Sequence, residues 1–157
     1  MTFLFLILSL LQVELPKYEQ YPVKEIFNGV PVKVDLNSHK EGRLYRTRIL
    51  EGVEKGVNFA GHYRIVLWGC GSNCQQFAII DLQTGKICAM EGSGMGIVFR
   101  KDSRMIVVNP IDQETFNSIT DKDKYLYPTE YYYWNGRKLQ LIKKSVSVFP
   151  YSIEAQQ

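Results

Sequence analysis

The second half of the chain is a succession of short apolar runs, each closed by a turn signal, and this pattern restricts it to a strand-rich fold. YRIVLWG, QQFAIID, KICAM, GIVFR, RMIVVN, YYYW and RKLQLI follow one another from Tyr63. Their length and their wealth of β-branched and aromatic residues are those of strands. CGSNC joins the first two, Thr84-Gly85 introduces the third, Lys101-Asp102-Ser103 joins the fourth and fifth, and Asn135-Gly136 joins the last two. Such connections make antiparallel hairpins, and Asn-Gly signals a type I′ turn because both of its central positions need φ > 0. Residues 110–129 are polar and turn-rich, a long loop or a short helix.

Ahead of the strands the pattern changes twice. YPVKEIF and VPVKVDL flank Asn28-Gly29, which predicts a further hairpin, placed at a sheet edge because Pro22 and Pro31 cannot donate ladder hydrogen bonds. Residues 12–21 before it read as a polar connector. Ser38 and Glu41 then fit a capping box, and Tyr45, Ile49 and Val53 recur at helical spacing. The spacing predicts an amphipathic helix over about 40–55, with Gly56 as its stop and Gly52 inside it at a cost of roughly 1 kcal/mol against Ala. Arg43, Arg46 and Arg48 make its solvated face, and His39 falls in its first turn.

The fold class expected is therefore α+β, mainly an antiparallel β meander with that one helix packed on the sheet. A hydrophobic share of 45% over 157 residues suits a single cored domain, placed at 22–150. DLQTGK and VFRKDSRMIVV resemble pieces of β-propeller blades. A closed propeller needs at least four blades of roughly 40 residues, and the first 60 residues are spent otherwise, so an open meander is expected.

Residues 1–15 carry the apolar run FLFLILSLL. It has the length of a signal-peptide h-region and falls short of the roughly 20 residues that span a bilayer. No Lys or Arg precedes it and no small-x-small site follows; the alternative is a buried N-terminal strand or helix. The expectation is export to the periplasm or beyond, with no membrane span. Net charge is +3 and the basic residues are scattered, so no nucleic-acid partner is expected.

The most distinctive stretch runs from Asn58 through His62 and Trp68 to Cys70, Ser72, Asn73, Cys74 and Gln75. In a hairpin with a three-residue loop, Cys70 and Cys74 face each other at the roughly 5 Å Cα spacing a disulfide requires. Gly71 or Asn73 can take φ > 0 there. A disulfide closing so small a loop adds little by entropy, so its role would be to fix the loop's shape. Zinc held by Cys70, Cys74 and His62 or Cys88 is the alternative, but only one C-x-x-x-C is present. Neither the spacing nor a βαβ pattern supports a redox pair. Cys88 is left as a buried free thiol.

His62 is read as a hydrogen-bonded structural histidine at a strand entry, against the alternative of a general base near the Cys70–Cys74 loop. In that alternative the carboxylate is Asp81, Glu91 or Asp102. Asp81 by itself is expected to serve the Thr84-Gly85 turn. Residues 91–96 (EGSGMG) could cradle an anion through backbone amides but lack the Lys-Ser/Thr of a P-loop, and a loop between strands is expected. In Tyr131-Tyr132-Tyr133-Trp134 alternate rings point to opposite faces, one set feeding the core and the other forming a sticky face. No cofactor or metal motif is complete.

The run NFAGHYRIVLWGCGSNCQQFAIIDLQTGK, residues 58–86, resembles a motif of small hypothetical bacterial exported proteins, and residues 35–57 follow it loosely. The resemblance implies an envelope setting and brings no established activity. The expected function is a non-catalytic envelope protein that binds a protein partner, of inhibitor or immunity type, with His62, Trp68, Ser72, Asn73, Tyr131 and Tyr133 as binding residues. The alternative is a small hydrolase built on His62 and Asp81 near the Cys70–Cys74 loop.

Overall fold

The computed structural model describes residues 14–150, so the apolar run at 3–11 lies outside the described residues. The protein is α+β, with two antiparallel sheets and few helices. Helix α1 (Arg46–Val53) precedes a three-stranded sheet of β1 (Tyr63–Gly71), β2 (Cys74–Asp81) and β3 (Ile87–Ser93), paired in chain order. A four-stranded sheet follows, again in chain order: β4 (Ile97–Phe99), β5 (Met105–Val108), β6 (Thr129–Trp134) and β7 (Leu139–Ser145). Two short helices, α2 (Gln113–Ser118) and α3 (Asp121–Leu126), fill the polar stretch between β5 and β6. They start where Asp112 and Thr120 accept hydrogen bonds from the amides of Thr115 and Asp123, as N-caps do.

Side-chain alternation distributes the core over three layers. On one face of the first sheet, Val66, Trp68, Ala78 and Ile80 pack under Ile49 and Val53 of α1. Its other face, with Ile65, Phe77 and Ile79, shares a core with Phe99, Ile106 and Trp134 of the second sheet. The far face of that second sheet, with Met105, Val107 and Tyr131, is covered by Tyr18 and Phe149 from the two ends of the described chain. Each fully buried apolar side chain here contributes about 2 kcal/mol.

The N-terminal third differs from expectation. No hairpin forms at Asn28-Gly29, and neither residue has a positive φ. The two arms instead dock on turns of the sheets. Val23 N–H donates to the Asp102 carbonyl (3.0 Å), Phe27 to Gly61 (2.8 Å), Val32 to Leu82 (2.9 Å) and Asp35 to Gly85 (2.9 Å). Strand-end carbonyls elsewhere in the chain outcompete the local turn, and the two prolines leave the arms little ladder to build with each other. Residues 15–21 are not a connector either: Tyr18 is buried, and the hydroxyl of Ser103 donates to its carbonyl.

The helix is also shorter than its periodicity suggests. Ser38 donates from Oγ to the Asp35 carbonyl and accepts from Ile87 N–H, so it pins a turn to β3 rather than capping a helix. Gly42 lies so close to that turn that a Cβ would meet the Leu36 carbonyl at 2.3 Å, and regular helix begins only at Arg46. His39 consequently sits in a turn and is half-buried. Gly52 has a reason to be in the helix: a Cβ there would meet Val66 Cγ2 at 2.3 Å. Its propensity cost is exchanged for close approach of α1 to β1.

Two hairpins differ in detail. Gly69 pairs with Gln75 and Gly71 with Cys74, which puts Cys70 in a bulge and leaves a two-residue loop, Ser72-Asn73. Trp134 pairs with Leu139, so the Asn135-Gly136 turn has four residues, not two. There Asn135 Oδ1 accepts from the amides of Arg137 and Lys138, an Asx-type closure that replaces the type I′ turn.

Candidate functional site

The β1–β2 tip is the most exposed ordered feature of the first sheet. Residues 69–73 are exposed, and Cys70 and Cys74 form a disulfide across Cα atoms 5.1 Å apart. Gly71 (φ +129) and Asn73 (φ +51) both take left-handed conformations, so the loop's path depends on them. Ser72 and Asn73 are presented at the apex. Trp68, expected from the sequence to be a binding residue, is not part of that surface: it is 6% exposed, its ring packs at a tilt against Tyr45, and its Nε1 donates to Gln76 Oε1 at 3.0 Å.

His62 lies at the opposite end of β1. Eight residues of extended chain separate it from Cys70, about 25 Å. The two cannot form one site, and the same distance rules out zinc shared by His62 and the cysteines. Among the described residues no group of three or more His, Cys, Asp or Glu is placed to hold a metal. His62 Nε2 is 3.9 Å from Asp81 Oδ1, beyond hydrogen-bond reach. That oxygen already accepts from Gln83 N–H at 2.8 Å, serving the turn as the sequence implies. Asp102 is bound by the Arg100 guanidinium at 2.9 and 2.6 Å, and Glu91 is in β3, paired with Phe77.

A cleft of about 590 Å³ opens beside His62, walled by the 22–28 arm, Gln83 and Arg104. Among the described residues no Ser, Thr or Cys lines it, so none of them offers a side-chain nucleophile for a general base there. Cys88 is free but half-buried rather than fully buried, and burial, then the Asp81 charge, push its thiol up. A thiol held protonated is a poor nucleophile. Burial also lowers the His62 pKa, with Asp81 opposing and Arg104 reinforcing. An NMR titration should place the His62 midpoint below its ordinary 6.5, and Asp81→Asn should lower it further because the counter-charge is lost. A midpoint above 6.5 would mean a closer ion pair than this geometry.

The remaining candidates are largely occupied. Tyr131 has no exposed surface, and Tyr133 is half-buried with its ring 5.7 Å from Tyr21. The expected sticky face is thus covered by the N-terminal segment. At residues 91–96, the amides of Gly94 and Met95 both donate to Asn109 Oδ1 at 2.9 Å. The anion cradle is filled by the protein's own side chain.

A second cleft of about 590 Å³, which the motifs did not single out, runs along the outer edge of β1 between α1 and β4. Arg64 faces it and is 6% exposed. Its sequence signal was alternation alone: in YRIVLWG, Arg64 shares a face with Val66 and Trp68, the face that the helix covers. No family model, curated protein or solved structure matches the chain.

Proposed function

We propose that this is an exported, non-catalytic binding protein of the bacterial envelope that engages a protein partner through the Cys70–Cys74 tip, in the manner of an inhibitor or immunity-type factor. The observation that carries the reading is a solvent-exposed two-residue loop whose shape is fixed by a disulfide. By the chain-entropy relation so short a closure contributes only about 2 kcal/mol to stability. Its larger effect is preorganisation, since each rotamer-rich side chain ordered on binding costs roughly 0.5–1.5 kcal/mol.

Export is supported by the same bond, because disulfides persist in oxidising compartments, and by the apolar run at 3–11 and the resemblance of residues 58–86 to exported proteins. Among the described residues no helix is long and apolar enough to cross a membrane. The hydrolase alternative loses its main support with the separation of His62 from the tip.

The test is comparative crosslinking in periplasmic extract. Oxidised wild type should yield a discrete adduct that disappears with Ser72→Arg and with the Cys70→Ser, Cys74→Ser pair, while both variants keep native circular dichroism. An adduct of equal yield from all three proteins would place the partner elsewhere and sink the tip reading.

A further inference from the structure

The cleft along β1 is lined by two residues, Arg64 and Gln75, each with a buried polar atom that the described fold leaves unanswered. Among the described residues, Arg64 Nε and Gln75 Oε1 are both buried without a hydrogen-bond partner. Among the described residues the Arg64 Nη1 reaches only the Gly56 carbonyl, at 3.4 Å, and none of their ion pairs includes Arg64. A guanidinium stays charged in proteins, and a buried charge is costly unless a counter-charge meets it. Among the described residues, Arg48 and Lys55, both exposed, line the same cleft with a single carboxylate, Glu51. The lining is therefore cationic, its innermost cation desolvated.

The edge beside it is half used. Asn58 accepts from Ile65 N–H (2.7 Å) and donates to the Ile65 carbonyl (3.0 Å), acting as a one-residue neighbouring strand. Because outward groups alternate along a strand, Leu67 and Gly69 turn their amides and carbonyls to the same side. Neither has a partner there among the described residues. Around Gly69 no atom of the described residues lies within 4 Å of a Cβ built on it. The path from Arg64 to Gly69 is about 16 Å, the length of a five-residue extended peptide.

We propose that this cleft takes an extended peptide, which adds as a strand to the β1 edge at Leu67 and Gly69 and sets a carboxylate on Arg64. The backbone ladder supplies affinity without sequence, as in other edge additions. The guanidinium pairs with both carboxylate oxygens. Arg48 and Lys55 draw the anion in. The proposal goes beyond the tip reading, since its contacts lie along the strand and not at the apex.

The test uses 15N-labelled, oxidised protein and four probes. These are a pentapeptide mixture of uncharged residues with free carboxyl termini, the same mixture amidated, an amidated mixture with one Asp or Glu each, and sodium phosphate. The free-acid or the acidic-side-chain mixture should move the Leu67 and Gly69 amides together with Arg64 Nε–H, at least tenfold more tightly than the uncharged amidated mixture. Which of the two does so identifies the source of the carboxylate. Phosphate that saturates Arg64 while Leu67 and Gly69 stay still would overturn the proposal in favour of a simple anion site, and silence with every peptide would overturn it outright.

Three variants guard the interpretation. Arg64→Met should raise the Tm of the free protein and abolish the peptide shifts; a lowered Tm would make Arg64 a structural residue and overturn its role. The exposed pair Arg48→Glu, Lys55→Glu should fold normally and weaken the peptide at least fivefold at low salt. Ser72→Arg should leave these shifts intact, so failure here and failure at the tip are separable.

Discussion

Asn58→Leu should lower the melting temperature by about 10 °C, although Leu has the same branched outline and number of side-chain heavy atoms. Asn58 is 9% exposed and, among the described residues, is the only partner of the outward N–H and C=O of Ile65, itself 1% exposed. Leucine removes both hydrogen bonds and seals both backbone groups from water. An orphaned buried polar group costs about 1–3 kcal/mol, so the pair amounts to roughly 3 kcal/mol. For a domain of this size each kcal/mol is worth about 3–4 °C. Asn58→Asp separates the two bonds: the acceptor survives, while an ionised carboxylate would face the Ile65 carbonyl. The folded state then favours the protonated acid, raising its pKa above the unfolded value. Stability should accordingly recover as pH falls through that raised pKa and be fully regained below the ordinary carboxylate range. Thermal melts at pH 7 and pH 4 measure both effects. An unchanged melt for Asn58→Leu would mean that Ile65 finds another partner and that the β1 edge is not closed by this side chain.

The contrast between what the sequence reveals and what it hides follows the range of the interactions. β1 to β7 are legible because a strand's alternation and its turn are both local, and every hairpin from Tyr63 onward forms between the runs expected to pair. The disulfide is legible for the same reason, although the bulge at Cys70 adds a one-residue offset that no pattern signals. At Asn28-Gly29 the local preference is real but worth little against four hydrogen bonds to distant turns. Tyr131 illustrates the opposite limit. Alternation correctly separates it from Tyr132 and Trp134, yet cannot say that Tyr18 and Phe149 cover the outer face as well. Arg64 was hidden because a charged residue on an inward face reads as noise until the cleft beside it is seen.

The docked N-terminal arm makes the last prediction, in which two glycines of equal backbone conformation should respond differently to the same change. Gly85 has φ +74 and Gly56 has φ +75, so Ala at either meets the same left-handed penalty, about 1 kcal/mol. Around Gly56 nothing lies within 4 Å of an added Cβ, whereas at Gly85 the Lys33 carbonyl oxygen lies 2.2 Å away. That oxygen is backbone and cannot swing aside alone, so the arm must lift. Lifting it forfeits the bonds from Val32 to Leu82 and from Asp35 to Gly85, each worth about 1 kcal/mol, and draws Val34 out of the core beneath α1. Gly85→Ala should therefore cost about 3 kcal/mol or more and Gly56→Ala about 1 kcal/mol. Trypsin should cleave after Lys33 readily in the first variant and slowly in the second, at a temperature where both stay folded. Equal losses of stability with equal cleavage would show that the arm contributes nothing at this turn, and the segment 30–35 would then have to be counted as a loose strap rather than as part of the fold.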